Sequence, residues 1–548
     1  MTFAGKTVAA ACAAAIVGFG AAALAVTSAS AAPARAAAVS PARAAVERAA
    51  QAMGGLQKIR AIKTIQAFGY GQWVYMSGGG RITSDPNAPA KLQAANELSR
   101  TWDLENDRFQ QKERRNMLFP FLDPFGHNWA PLTLNLDGDL AFNVDAEGQA
   151  VRVARTSDLD GVHMRRMWKL NNPAVLVRTL LDPATQLSAP RRAGARTVID
   201  AVLKEGDKLT AVFAADGLPY AVSWSNPHTN LGQGGYTTTF SGWSPWDGQG
   251  GVLLPLGLLT KLDWRDTDFF TLYIDAYKVN AAVGDLAAPD AIKTVAEPPS
   301  YPVQTPTSVK VAEGVWRITQ GGTTVVEFQD HLVLFELGVN VRQAKANLAY
   351  ARSLAPGKPI RYLIASHNHF DHVAGLRQAV AEGITIISRP QSGVQFAEMA
   401  ARPAPDFPDD LARSGQALKF RPVTERLSLS DRRQTIDIYW GRNNGHMADA
   451  VFAYLPKEKL MLEGDMVTAA FAWQHWPDTF RDVTAYYKLD VERISPVHSV
   501  WREHPDVLTK AQAEELLAGG TKRAREHCAE YLAKGNYAPG CPIQSKYY

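Results

Sequence analysis

Apolar and polar positions change rhythm midway along the chain. Upstream, Thr64 to Tyr75, Leu98 to Phe109, Leu209 to Trp224 and Leu259 to Val279 alternate between the two kinds. That period of two puts one face of a strand in a core and the other in water. Asp216-Gly217 marks a turn inside the third run. A short helix is expected over Ala42 to Met53, stopped by Gly54-Gly55. Residues 42–288 are therefore read as a mainly antiparallel β domain, and no fixed-period repeat runs through it.

Downstream, short strands at Gly314 to Ile318, Thr323 to Gln329 and Leu332 to Glu336 give way to a helix over Val341 to Leu354. An apolar strand, Ile360 to Ser366, leads into a helix beginning near His372. Further strands are expected at Ile384 to Ser388 and Gln434 to Trp440, and Val451 to Leu455 pairs with Leu460 to Glu463 across Pro456-Lys457. Strands alternating with helices predict an α/β layered domain over 308–505. Between the halves, residues 289–307 carry Pro289, Pro298, Pro299, Pro302 and Pro306, a density that helices and central strands do not tolerate. The domain boundary is placed in that linker. Residues 506–548 are expected to form a helical tail, with one or two helices over Lys510 to Gly535.

Composition narrows the class. The 548 residues are 46% hydrophobic, 20% charged and 9% aromatic, enough apolar volume for packed cores, so a disordered chain is excluded. Lys and Arg number 58 against 54 Asp and Glu, without a basic tail, and a nucleic-acid partner is not indicated. Three cysteines are too few for a disulfide scaffold or a thiolate-built metal cluster, so any metal must rely on His and carboxylates.

Residues 1–31 are expected to be a signal peptide. Lys6 precedes the apolar run Thr7 to Val26, and Ala29-Ser30-Ala31 offers small residues for cleavage. Export to the periplasm or beyond follows, with no stable membrane span after cleavage; an uncleaved anchor is the alternative. Cys12 leaves with the leader. Cys528 and Cys541 are expected to close a small disulfide loop in oxidising surroundings, against two unpaired thiols.

The densest chemistry is Ser366-His367-Asn368-His369-Phe370-Asp371-His372, where an apolar strand ends. Residues two apart project to the same side of an extended chain, so His367 and His369 can reach one ion. Asp371 and His372 then point to an adjacent one. His446, Asp465 and His498 follow in order, each at a strand end, where the α/β architecture gathers its sites. His127, His163, His228, His331 and His527 are read as packed or surface residues.

With Gly445-His446, Gly464-Asp465 and Pro496-Val497-His498 in sequence behind that cluster, residues 308 to 505 resemble the metallo-β-lactamase superfamily of dinuclear metallohydrolases. The resemblance implies an αββα sandwich, two sheets back to back with helices outside. It makes His367, His369 and His446 ligands of a first zinc, Asp371, His372 and His498 ligands of a second, and Asp465 the bridge. Iron or manganese also suits such ligands. Glu336 stands where relatives more often have Asp, Met447-Ala448-Asp449 where many have Thr and a Gly or Ser, and no Cys occupies the second site. A redox diiron member would carry Glu in place of His369.

The expected function is hydrolysis of a carboxyl derivative, an ester, lactone or amide with β-lactams included, by a metal-bridging hydroxide with Asp371 as the catalytic proton acceptor. Phosphoric or sulfuric ester hydrolysis on the same site is the alternative. No cluster of Lys and Arg surrounds the motifs in sequence, which favours a neutral or apolar small-molecule substrate. Trp473, His475 and Trp476 are candidates for its mouth. A reading of another class makes the protein an envelope ligand carrier with an inactive metal site, because Ala45 to Thr64 faintly resembles exported lipoprotein-carrier domains of curved-sheet form.

Overall fold

A computed structural model of the chain describes residues 40–118, 131–145, 148–158, 161–247, 251–338, 340–467, 476–498 and 506–518, with 529 and 533. The alternating upstream runs build a 14-stranded sheet whose path follows chain order as a meander. The first strand, Thr64–Val74, sits at its middle, paired on one side with Leu92–Asp103 and on the other with the last, Thr267–Val279. Two expected strands are each hairpins. Leu98 to Phe109 is interrupted after Asp103, whose Oδ1 accepts from the backbone N–H groups of Glu105 and Asn106 at 3.2 Å, and Asp107 turns the chain with φ 55°. Leu259 to Val279 breaks at Arg265 and Asp266, with φ 53° and 48°. Side-chain capping and left-handed residues thus end strands that the apolar alternation alone would continue.

Two helices, Val162–Lys169 and Pro173–Leu181, cross the meander, and Pro41–Ala52 packs on the second of them. Asp207 ties the first helix to the sheet: His163 Nδ1 lies 2.8 Å from its Oδ1 and Arg166 Nε donates to its Oδ2 at 2.5 Å. Burial works to raise the Asp207 carboxyl, but these hydrogen bonds outweigh it and hold the group below its ordinary value.

The downstream half is the expected αββα sandwich. One sheet has seven strands from Ser308–Ala312 to Lys419–Pro422 and the other six from Arg426–Ser430 to Leu508–Thr509. Val326, Val333, Phe335 and Ile364 of one meet Ile436, Ile438, Val451, Ala453 and Leu462 of the other in a single buried cluster. The helices Val341–Leu354, Leu376–Ala381 and Pro390–Ala401 flank the seven-stranded sheet, and Trp476–Tyr486 lies outside the six-stranded one. The helix expected near His372 begins at Leu376, because residues 369–373 are spent in a turn with the His372 and Val373 N–H groups both on His369 O at 3.1 Å. Leu508–Thr509 adds an edge strand where the helical tail was expected, the helix then running over 510–518; Cys528 and Cys541 lie outside the described residues.

The proline-rich strip contains one turn of helix, Asp290–Thr294, and is fastened to both halves. Tyr301 donates to Asp158 at 2.5 Å, Asn340 Nδ2 to Pro302 O at 3.0 Å, and Gln304 N to Gln343 at 2.8 Å. One apolar cluster continues from Ile65, Trp73 and Trp264 of the large sheet to Leu334, Phe370 and Phe396 of the sandwich. Polar contacts run alongside it. Asn230 Nδ2 donates to Phe370 O at 2.8 Å, Arg402 reaches Asp263 at 2.6 Å, and Ser84 Oγ donates to Asp449 at 2.6 Å.

Because the halves share a core, calorimetry of the metal-free chain is expected to show one cooperative transition; two well-separated transitions would contradict the shared core. Asp207→Ala should destabilise the protein by about 3 kcal/mol at neutral pH, since it strips the buried Arg166 Nε and His163 Nδ1 of their partner and leaves Arg166 only Asp139 and His163 only Ser225 O. A depressed carboxyl contributes stability above its unfolded value and loses it in acid, so the gap between wild type and variant should narrow below about pH 4 in denaturant titrations.

Candidate metal centre

Four strand ends deliver the site. Ile360–Ile364 runs parallel between Leu332–Phe335 and Thr385–Ser388 and discharges into Ser366 to His372. Thr435–Trp440, Leu460–Glu463 and Arg493–Pro496 of the second sheet lead to His446, Asp465 and His498. The sheets are stitched where the motifs begin, Val451 N donating to Ser366 O at 2.7 Å.

The seven expected side chains meet there in two groups. In the first, His446 Nε2 lies 3.3 Å from His367 Nε2, 2.8 Å from His369 Nδ1 and 2.9 Å from Asp465 Oδ2. In the second, His372 Nε2 is 3.1 Å from His498 Nε2 and 3.6 Å from Asp371 Oδ2. The other oxygen of Asp465, Oδ1, turns to this second group, 3.1 Å from His372 Nε2 and 3.2 Å from His498 Nε2. One carboxylate therefore faces both. His367, His369, His372 and Asp465 are buried, whereas the side chains of Asp371 and His498 are 45% and 35% exposed and form the open rim.

Imidazole lone pairs at such separations repel unless a proton or a cation stands between them. Asp465 Oδ1 is buried without a well-aligned hydrogen bond, a cost that a cation in contact with it removes. The donors are imidazole and carboxylate with no thiolate, a set suited to zinc, iron or manganese. The residues fit a metal ion at each group.

The field around them is polarised. Burial, then the charge of His372, holds His367 well below the usual imidazole value; burial, then His446, does the same to His369. Burial also favours neutral His372, but Asp465, Asp371 and Glu336 outweigh it and hold that ring well above the usual value. Burial would raise Asp465, yet His372, His498 and His446 keep it well below the carboxylate range. Asp465 is thus an anion between two clusters of nitrogen donors.

The nitrogens turned away from the groups have partners that the motif reading did not supply. His367 Nδ1 meets Ser366 Oγ at 2.8 Å. His372 Nδ1 meets Glu336 Oε2 at 3.0 Å, while Glu336 Oε1 accepts from Ser366 N at 2.5 Å. Glu in place of the commoner Asp therefore still reaches the site. His369 Nε2 lies 2.9 Å from Nζ of Lys91, a residue of the upstream sheet 278 positions away. Burial lowers Lys91 to about 8, opposed by the charge of Asp371; it raises Tyr75 to about 12, with Asp371 adding to the effect. No pattern around these two residues distinguishes them in sequence, although the run Gly78-Gly79-Gly80 between them was there to be noticed.

His163, His228 and His331 are buried outside the two groups: His163 and His331 are partnered by Asp207 and Asp330, while His228 Nδ1 accepts from Asn230 N at 3.2 Å and its ring packs edge-on against Phe370. His127 and His527 lie outside the described residues. So do Trp473 and His475 and the side chain of Trp476, whose backbone opens the helix Trp476–Tyr486, and the expected substrate mouth falls on them.

Residues 317–498 match the family model of the metallo-beta-lactamase superfamily. No curated protein sequence matches the chain. Similar solved structures include a metallo-beta-lactamase from Pontibacter korlensis, 16% identical, covering 39% of this chain and 99% of its own with a TM-score of 0.30. The DIM-1 metallo-beta-lactamase is 15% identical over 40% of this chain and 100% of its own, at 0.31. One from Erythrobacter litoralis is 17% identical over 40% and 99%, at 0.30.

Glu336→Ala should weaken metal binding at the Asp371–His372–His498 group by about 10- to 100-fold while sparing the other, as read by chelator competition. Equal loss at both groups would show that Glu336 supports the fold rather than His372.

Proposed function

We propose, from the premise that residues 317–498 form a metallo-β-lactamase superfamily domain, that this metal-dependent hydrolase binds two zinc ions and cleaves a carboxyl derivative such as an ester, lactone or amide. The observation that carries the reading is Asp465, whose two oxygens each face a separate group of imidazoles. A pair of cations held there lowers the pKa of water towards neutrality and polarises the electrophile, so no covalent nucleophile is required. Iron or manganese would be held by the same donors.

The chain's own residues then have distinct tasks. His367, His369 and His446 hold one side of Asp465, and His372 and His498 the other. Asp371, half exposed at the rim and 3.5 Å from His498 Nε2, is placed to orient a water and take its proton. Ser366 and Glu336 fix the ring orientations from behind. Lys91 is 4% exposed and directed onto His369 and the Ser77 carbonyl, so it is not offered to a substrate, which agrees with neutral or apolar compounds. Export to the periplasm or outside the cell belongs to the same reading and disfavours intracellular thioesters.

Hydrolysis of phosphoric or sulfuric esters uses the same arrangement. One feature favours the alternative carrier reading: a cavity of about 990 Å³ lined by Leu187, Leu209 and Trp224 of the upstream half and Phe407 of the downstream half, beside Arg155 and Asp207. Lipid extracted from the purified protein, without metal-dependent turnover, would establish carriage in place of catalysis.

Elemental analysis is expected to find about two equivalents of zinc per chain. Turnover in a panel of chromogenic esters, lactones, cephalosporins and bis-aryl phosphates should fall on chelation and return with metal. Turnover of phosphates alone would overturn the carboxyl assignment. Asp371→Ala should lose at least about 100-fold in kcat with an unchanged circular dichroism spectrum; retained turnover would remove Asp371 from the proton-transfer role.

A further inference from the structure

We infer that the hairpin connection 75–91 of the upstream sheet positions His369 for its cation, with Lys91 and Gly78 as the contacts that do so. The inference rests on the two-cation reading above and extends it across the boundary between the halves.

His369 is gripped from two sides. Its Nδ1 faces His446, and its Nε2, on the opposite edge of the ring, faces Lys91 Nζ at 2.9 Å. Metal-binding imidazoles usually meet a carboxylate or carbonyl at that second nitrogen. Here the partner is an amine, and it comes from another part of the chain. His367 and His372, in contrast, take theirs from within the sandwich.

The hairpin is built to hold that amine in place. The Lys91 backbone donates to Gly80 O at 2.9 Å and accepts from Tyr75 N at 2.7 Å, and Nζ donates to Ser77 O at 3.4 Å. Gly78 and Gly79 turn the chain with φ of 70° and 75°. A Cβ at Gly78 would sit 2.8 Å from His369 Cδ2 and 3.4 Å from Lys91 Nζ, so only a glycine lets the turn lie flush on the imidazole edge. Trp264 Nε1 pins the turn from the far side by donating to Gly79 O at 3.0 Å. Asn368, next to His369, donates to Gly78 O at 3.5 Å and to Gln395 at 2.8 Å, locking the turn to the metal-binding segment itself. The ring of His369 therefore has its tilt set by both halves of the chain.

The test separates the two groups of ligands. In a His498→Ala background, which leaves His367, His369, His446 and Asp465 intact, zinc affinity is measured by competition with a chromogenic chelator on the full chain. Adding Lys91→Met, close in length and free of charge, or separately Gly78→Ala, is expected to weaken binding by about 10- to 100-fold. In a His446→Ala background, where the Asp371–His372–His498 group remains, Lys91→Met should change affinity by less than about 3-fold. The melting temperature of each metal-free protein identifies any variant that merely loosens the fold, and Gly78→Ala reads the contact independently if Lys91→Met does. Unchanged zinc affinity in the His498→Ala background with both substitutions would overturn the inference, as would equal losses in the two backgrounds. If the His498→Ala parent takes up no zinc while folded, the two-cation reading itself falls, a different result from a parent that binds and a Lys91 variant that binds equally well.

Discussion

Mutual repulsion among converging imidazoles is the constraint around which this protein is organised. The rings of His367 and His372 have centroids 4.1 Å apart, those of His369 and His446 4.4 Å, and three of these four residues come from one six-residue segment. Left to itself such a segment would splay its rings into water. Each ring is instead fixed from behind, by Ser366, by Glu336 or by Lys91. Glu336 adopts a φ of 64°, a conformation unfavourable for a residue with a side chain, in a position where its two oxygens serve the Ser366 amide and the His372 ring together. Strain at that residue is the local cost of a rigid imidazole.

The two sheets supply the rest of the rigidity. Their inner faces are packed with β-branched and aromatic side chains, and the backbone bond between Val451 and Ser366 joins them at the lip of the site. Distances across the centre are therefore set by strands rather than by the long connections. The upstream sheet enters the same scheme through the 75–91 hairpin and through Asn230, which donates to Phe370 O. What would otherwise be an extra domain beside a hydrolase becomes part of the wall behind a ligand.

Much of this was legible in the residues, for reasons that differ from element to element. The αββα half was readable because its central strands are short, mostly apolar and separated by turn residues, and because chemistry-bearing residues at strand ends can only converge at one edge. The upstream sheet was readable as antiparallel β from its alternation, but not its hairpins at 104–107 and 263–266, where Asp side chains and left-handed residues end strands that remain apolar on either side. The start of the helix at Leu376 was misplaced because the turn that carries Phe370, Asp371 and His372 uses apolar and polar residues just as a first helical turn would. Lys91 was out of reach altogether. A lysine at the end of a strand is ordinarily a solvated residue, and only the packing of one half on the other converts it into a buried partner of His369.

The pairing of Thr64–Val74 with Thr267–Val279 at the middle of the large sheet has a kinetic consequence. These strands are separated by nearly the whole of the upstream half, so the hydrogen bonds that close the large sheet at its middle form only after the intervening meander has been laid down, whereas the base of the 75–91 hairpin is the local pairing of Thr64–Val74 with Leu92–Asp103. Contacts of such sequence separation make for slow folding. A nascent chain emerging in order would form the hairpin behind His369 early and complete its sandwich last. The centre, whose donors all lie in the sandwich, therefore matures late in folding, and a cation arriving earlier meets a partial set of donors.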